Sequence, residues 1–221
     1  MVLKEELEKK KIAEEHEKNG KTKQYLFDSM KLIVENINKN INHLSDNWKF
    51  TKSFIDIIYE GIKTKRHFFL LASGRSAMIL QCFATRLVHL GGKAFMVSNL
   101  QSIPAMKKKD ILIVLSGSGT TSVVQSLLGS YVNSVIPHAI IVITSYPDTT
   151  IGRMGDLTIK LLGRTKRDQE AKEDELEAIL TPEGTAFEQI AFTYLDAVVA
   201  ELAVRLNKTN KDMLKKHSQG T

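Results

Sequence analysis

A doubly wound α/β fold, built on a five-stranded parallel sheet flanked by helices, is predicted by three observations on this sequence. Its most apolar runs, such as Phe68-Phe69-Leu70-Leu71 and Ile111-Leu112-Ile113-Val114-Leu115, are short and continuous rather than alternating, as strands buried on both faces require. Longer segments of helical periodicity separate the runs, and parallel neighbours need such crossover connections. Three of the runs end in turns rich in hydroxyls, the place where open parallel sheets bind ligands.

Residues 1–22 mix Lys and Glu with almost no large apolar residue after Leu7. They read as a charged extension, helical through Glu-to-Lys pairs, outside a single domain over 23–221. From Tyr25 to Ile62, Leu26, Met30, Ile33, Ile37 and Ile41, then Trp48, Phe54, Ile55, Ile58 and Ile62, recur at helical spacing. Two amphipathic helices follow from this, broken near Leu44-Ser45-Asp46-Asn47, where Ser and Asp offer N-cap chemistry. Strands are then expected at 67–72, 93–97, 111–115, 138–144 and 157–161, with helices at 76–90 and 122–132 and a short one after Asp148-Thr149-Thr150. The dense charge of 164–177 places that segment on the surface. A long helix at 186–206 carries Ile190, Ala191, Tyr194, Leu195, Val198, Val199 and Leu202 on one face, and 210–217 can close the chain as a short helix.

At 221 residues and 43% apolar composition, the chain can bury one sizeable core. Cys82 stands alone in an apolar stretch, so no internal disulfide is possible and a packing role is expected. The net charge of +6 is scattered rather than gathered into a stripe, which argues against a nucleic-acid partner. Neither a secretory signal nor a membrane-spanning run is apparent, so a cytoplasmic protein with no membrane partner is expected. The histidines and the lone cysteine show no zinc spacing, and no carboxylate cluster resembles a calcium loop, so no metal is expected.

The informative loops are Ser73-Gly74-Arg75-Ser76, Ser116-Gly117-Ser118-Gly119-Thr120-Thr121 and Thr144-Ser145-Tyr146-Pro147. Any one alone is ordinary turn and capping chemistry, whereas three together, after the first, third and fourth strands, point to a site. Glycines let backbone N–H groups converge, hydroxyls add donors, and the following helix N-terminus favours negative charge. A small phosphate monoester fits this chemistry. A nucleotide does not, because the third glycine of a dinucleotide fingerprint is missing and no Gly-Lys-Ser or Gly-Lys-Thr occurs.

Gly74-Arg75-Ser76, the Arg86-Leu87-Val88-His89-Leu90-Gly91 stretch, the Ser-Gly-Ser-Gly-Thr-Thr loop and Pro182-Glu183-Gly184-Thr185-Ala186-Phe187-Glu188-Gln189 together resemble the sugar isomerase (SIS) domain family, in particular its 6-phospho-3-hexuloisomerase branch. The similarity covers roughly residues 25–217. It implies a flavodoxin-like sheet, a homotetramer with sites near subunit boundaries, no cofactor, and interconversion of D-arabino-hex-3-ulose 6-phosphate with fructose 6-phosphate. It also implies that Gly74, Arg75, Ser76, Ser116, Gly117, Ser118, Gly119, Thr120 and Thr121 hold the substrate.

Moving a carbonyl between C3 and C2 needs a base, an enediol and a proton shuttle between the two oxygens. Glu188 is the candidate base. Local sequence favours a competing role, since Thr185-Ala186-Phe187-Glu188 matches a capping box; the resemblance reverses that preference. His217 near the terminus is the candidate shuttle, with His89 as the alternative. A non-catalytic sugar-phosphate sensor using the same loops is the second reading, although no output module is evident before residue 25. A structural protein using the charged extension is the third, and it leaves the hydroxyl-rich loops unexplained.

Overall fold

The computed structural model describes residues 22–97, 103–163, 165, 175–182 and 184–215. The chain enters through two helices, α1 (Thr22–Asp46) and α2 (Trp48–Lys63). It then runs β1 (His67–Leu71), α3 (Arg75–His89), β2 (Lys93–Met96), β3 (Ile111–Leu115), α4 (Ser122–Ser134), β4 (Ala139–Thr144), α5 (Thr150–Arg153) and β5 (Leu157–Lys160). Helices α6 (Glu175–Leu180), α7 (Thr185–Arg205) and α8 (Asn210–Leu214) follow. The charged extension before residue 22 and most of 164–174 lie outside the described residues.

All five strands pair in parallel, in the order β2-β1-β3-β4-β5. Every residue of β3 and β4 is buried, as the continuous apolar runs predict. Strand alternation divides these residues between two cores. Phe68, Leu70, Ile111, Ile113 and Leu115 face α2, α3 and α7, packing with Phe54, Ile58, Leu80, Leu87, Phe187 and Leu195. Phe69, Leu71, Leu112 and Val114 face the other way, onto Val124 and Leu128 of α4, Ile151 of α5 and Met106. The sheet is therefore covered on both sides, and only its strand ends are free to form a site.

Three local expectations are corrected. The break between the first two helices is not capped by Ser45 or Asp46, because α1 continues through both. Asn47 stands at the junction instead, its Nδ2 donating to the His43 carbonyl at 2.8 Å and so closing α1 rather than opening α2. Cys82 is exposed, not packed: it falls on the outward face of α3, while Leu80, Phe83 and Ala84 take the core positions. The capping box at the start of the long helix does not form. Gly184 is the N-cap, no side chain caps it, and Thr185 is already helical, which releases Glu188 from capping. A capping box does form at α8, between Thr209 and Asp212.

Asn40 ties α1 to the exit of the last strand. Its Nδ2 donates to the Leu162 carbonyl at 2.6 Å and its Oδ1 accepts from the Leu162 amide at 2.7 Å. The side chain is 2% exposed, so both bonds form out of reach of most solvent. Asn40→Ala is expected to lower stability by about 1–2 kcal/mol, since two polar backbone groups lose their partner; a urea titration with an unchanged slope checks it.

Candidate active site

In an open parallel sheet, ligands bind where the strand order reverses, beyond the carboxyl ends of the strands. Here the reversal lies between β1 and β3. The loops that leave those two strands are Gly74-Arg75-Ser76 and Ser116–Thr121, so the topology itself brings the two predicted loops together.

The loop after β3 is held from behind by the loop after β4. The Gly117 carbonyl accepts from the Ser145 amide at 3.1 Å and from Thr144 Oγ1 at 3.2 Å, and the Gly119 carbonyl accepts from the Ile151 amide at 3.3 Å. Carbonyl dipoles, which would repel a phosphate, are thus engaged elsewhere. Gly119 has φ of +64°, and a Cβ there would collide with the Thr149 side chain. Gly117 lies flat against the Phe187 ring, where a Cβ would come within 2.8 Å of Cδ1. Ser118 Oγ accepts from the Thr120 hydroxyl at 3.3 Å and from the Thr120 amide at 3.4 Å. Its own O–H has no acceptor among the described residues and is free to donate to a ligand. Ser116 Oγ lies 3.4 Å from Thr121 Oγ1.

A cavity of 160 Å³ opens in front of this loop, lined by Ser76, Gly117, Ser118, Thr121, Thr165, Gly184, Phe187 and Glu188. Helix α7 delivers Glu188 into it within the first turn. The carboxylate side chain is 13% exposed, and its Oε2 lies 2.8 Å from Nε of Arg75. Oε2 nevertheless has no aligned hydrogen-bond donor among the described residues, so the contact is one of charge rather than a well-directed bond. Burial pushes the Glu188 carboxyl above the usual glutamate range, and Arg75 pulls it back only in part. Burial wins because the arginine side chain is 58% exposed, which leaves its attraction screened by water. A half-buried carboxylate with a raised pKa, its ionised form facing a neighbouring cation, has the properties of a general base.

The predicted residues thus separate by role. Ser76, Gly117, Ser118 and Thr121 line the cavity, and Arg75 reaches Glu188 at its edge. Gly74, with φ of +60°, turns the chain from β1 into α3, while Ser116 and Gly119 shape the loop from behind. Thr120 lines a neighbouring cavity instead. His217 lies outside the described residues. His89 is 6% exposed at the far end of the helix that begins with Arg75, about 21 Å away along the axis at 1.5 Å per residue. It is thus remote from this chain's own cavity.

Thr165 was missed. It is 5% exposed and lines the cavity, in the loop after β5, also a carboxyl-end loop. That position was the available signal, masked by the charged residues that follow it. Among the described residues, no three His, Cys, Asp or Glu side chains cluster to hold a metal, and no helix is long and apolar enough to cross a membrane.

A model of the SIS domain family matches residues 61–171, half of the chain. The chain belongs to the SIS domain family. A 3-hexulose-6-phosphate isomerase of Methanocaldococcus jannaschii is 34% identical over 175 residues, covering 79% of this chain and 87% of that protein. A Bacillus subtilis protein of the same name is 28% identical over 164 residues, covering 74% and 84%. A solved Methanococcus jannaschii structure, described as inferring a 3-hexulose-6-phosphate isomerase function, superposes with a TM-score of 0.71 at 31% identity, covering 88% of this chain and 99% of that one. The segment matched by the SIS model contains both loops of the switch point but ends before Glu188.

Proposed function

We propose that this SIS protein is a phosphosugar isomerase that interconverts D-arabino-hex-3-ulose 6-phosphate and fructose 6-phosphate through an enediol. The observation that carries the reading is Glu188, delivered into the hydroxyl-lined cavity, shielded from solvent and paired with Arg75. The likeness to proteins named 3-hexulose-6-phosphate isomerase supports the choice of sugar.

In this reading the phosphate rests on the loop from Ser116 to Thr121, with Ser118 and Ser76 donating to its oxygens and Thr121 beside them. Anchoring the far end of the sugar positions C2 and C3 near Glu188. The carboxylate removes the proton from C2 of the 3-ketose; the electron pair forms the C2–C3 double bond and the C3 carbonyl becomes a hydroxyl. Return of the proton to C3 re-forms a carbonyl at C2, and a second group carries the proton between the two oxygens. Arg75 balances the carboxylate and the developing enediolate charge. His217 is our candidate for the oxygen-to-oxygen transfer, reaching the site of a neighbouring subunit in a homotetramer. An apolar band on α1 and α2, with Leu26, Met30, Val34, Ile41 and Trp48 each about half exposed or more, supports such assembly.

The direct test is to incubate the purified protein with fructose 6-phosphate and detect a 3-ketohexose phosphate by NMR. A pH profile tests the base. Because Glu188 must be ionised, kcat/KM is expected to fall on the acid side at a pH above the ordinary glutamate range. Arg75→Gln removes the charge that lowers this pKa and is expected to move the acid limb to higher pH. An acid limb that stays in place in that variant argues against Glu188 as the titrating group.

A further inference from the structure

Behind the phosphate loop lies a second cavity, larger than the first at 610 Å³. It sits beyond the carboxyl ends of β4 and β5, at the ligand-binding end of the sheet. Its volume falls in the range of small-molecule sites. Thr120, the loop residue that faces away from the first cavity, forms part of its wall, together with Tyr146, Asp148, Thr149, Arg153 and Lys160.

The chemistry of that wall selects the ligand. Thr149 Oγ1 donates to the Tyr146 carbonyl at 2.7 Å and Thr120 Oγ1 donates to Ser118, so these two hydroxyls are already engaged. The lining groups left to recognise a ligand include the Thr150 hydroxyl and two cations. Arg153 and Lys160 come from different elements, α5 and the end of β5, and neither forms an ion pair among the described residues. Asp148 is the one carboxylate among the described lining residues, so positive charge exceeds negative there. Two cations in one concave site, with no ion-pair partner among the described residues, fit a phosphate group.

We propose that this cavity is a second anion site, in which Arg153 and Lys160 hold a phosphate monoester or diphosphate. The site does not depend on the isomerase reading. It is built onto the same loop, however, because Thr149 packs against the α-carbon of Gly119.

The test is calorimetric titration of the full chain with pyrophosphate, which needs no turnover and so is decided even if the protein is inert toward fructose 6-phosphate. The double variant Arg153→Gln/Lys160→Gln is expected to weaken one binding event by about tenfold or more, as loss of two charge-assisted contacts implies. Both side chains are exposed, and an unchanged thermal melt confirms that the variant folds. Lys108→Gln/Lys109→Gln removes equal charge at the opposite end of the sheet and is expected to leave binding unchanged. Absence of pyrophosphate binding, an isotherm unaffected by the first variant, or equal weakening in the second overturns the proposal.

Discussion

Glu188→Gln is expected to lower kcat by about 10²–10⁴-fold, the usual contribution of a positioned general base, while KM for fructose 6-phosphate changes little. The amide keeps the shape of the carboxylate and loses only its basicity, and the proposed phosphate contacts lie on other elements. The same substitution should not destabilise the protein. Burial raises the folded-state pKa of Glu188, so the folded chain holds this proton more tightly than the unfolded one. The associated stability is present at low pH and lost as pH rises through the raised value. At neutral pH the ionised carboxylate is a cost to folding, and glutamine removes it. Thermal melts at pH 7 to 8 are therefore expected to give Glu188→Gln a Tm equal to or above that of the parent. A large loss of Tm together with the loss of turnover assigns Glu188 a structural role instead.

Gly119→Ala is expected to have the second largest effect, and of the opposite kind. The position combines φ of +64° with a backbone approach to Thr149 that leaves no room for a Cβ, so alanine must shift either the loop or the β4 turn behind it. The left-handed conformation alone costs about 1–2 kcal/mol for a residue with a side chain, and the collision adds to it. Because the loop carries Ser118 and Thr121, the shift is expected to raise KM for the phosphosugar about tenfold or more, with kcat less affected. The double variant Gly119→Ala/Thr149→Ser relieves only the methyl contact. Thr149→Ala is thus the better partner: it removes the hydroxyl that blocks the Cβ and is expected to restore part of the binding. Steady-state kinetics of the three variants separate this steric account from a general loss of structure.

The sheet was legible because its residues obey a strong constraint. Strands buried on both faces admit only apolar side chains, so β1, β3 and β4 stand out as continuous runs, and their parallel order follows from the helices between them. The switch-point loops were legible for a related reason: glycine and hydroxyl residues directly after such a run have few roles other than turning the chain and donating hydrogen bonds.

Features set by facing direction were not legible. Cys82 lies in an apolar stretch of an amphipathic helix, and one residue of rotation decides between core and solvent. Thr185 and Glu188 have the spacing of a capping box, but Gly184 takes the N-cap position with φ of +80° and turns the carboxylate toward Arg75, more than a hundred residues earlier in the chain. Thr120 and Thr121 are adjacent in sequence and serve different cavities. Each of these depends on contacts between distant segments, which local pattern does not encode.

Glu188 is proposed to exchange the proton of a 2,3-enediol while the hydroxyl-rich loop holds the phosphate. Incubation of the protein with fructose 6-phosphate in deuterated water, followed by NMR of the recovered sugar, tests it most directly. Deuterium is expected at C3, at a rate reduced by about 10²-fold or more in Glu188→Gln. Deuterium at C1 alone, or no exchange while saturable binding persists, contradicts it.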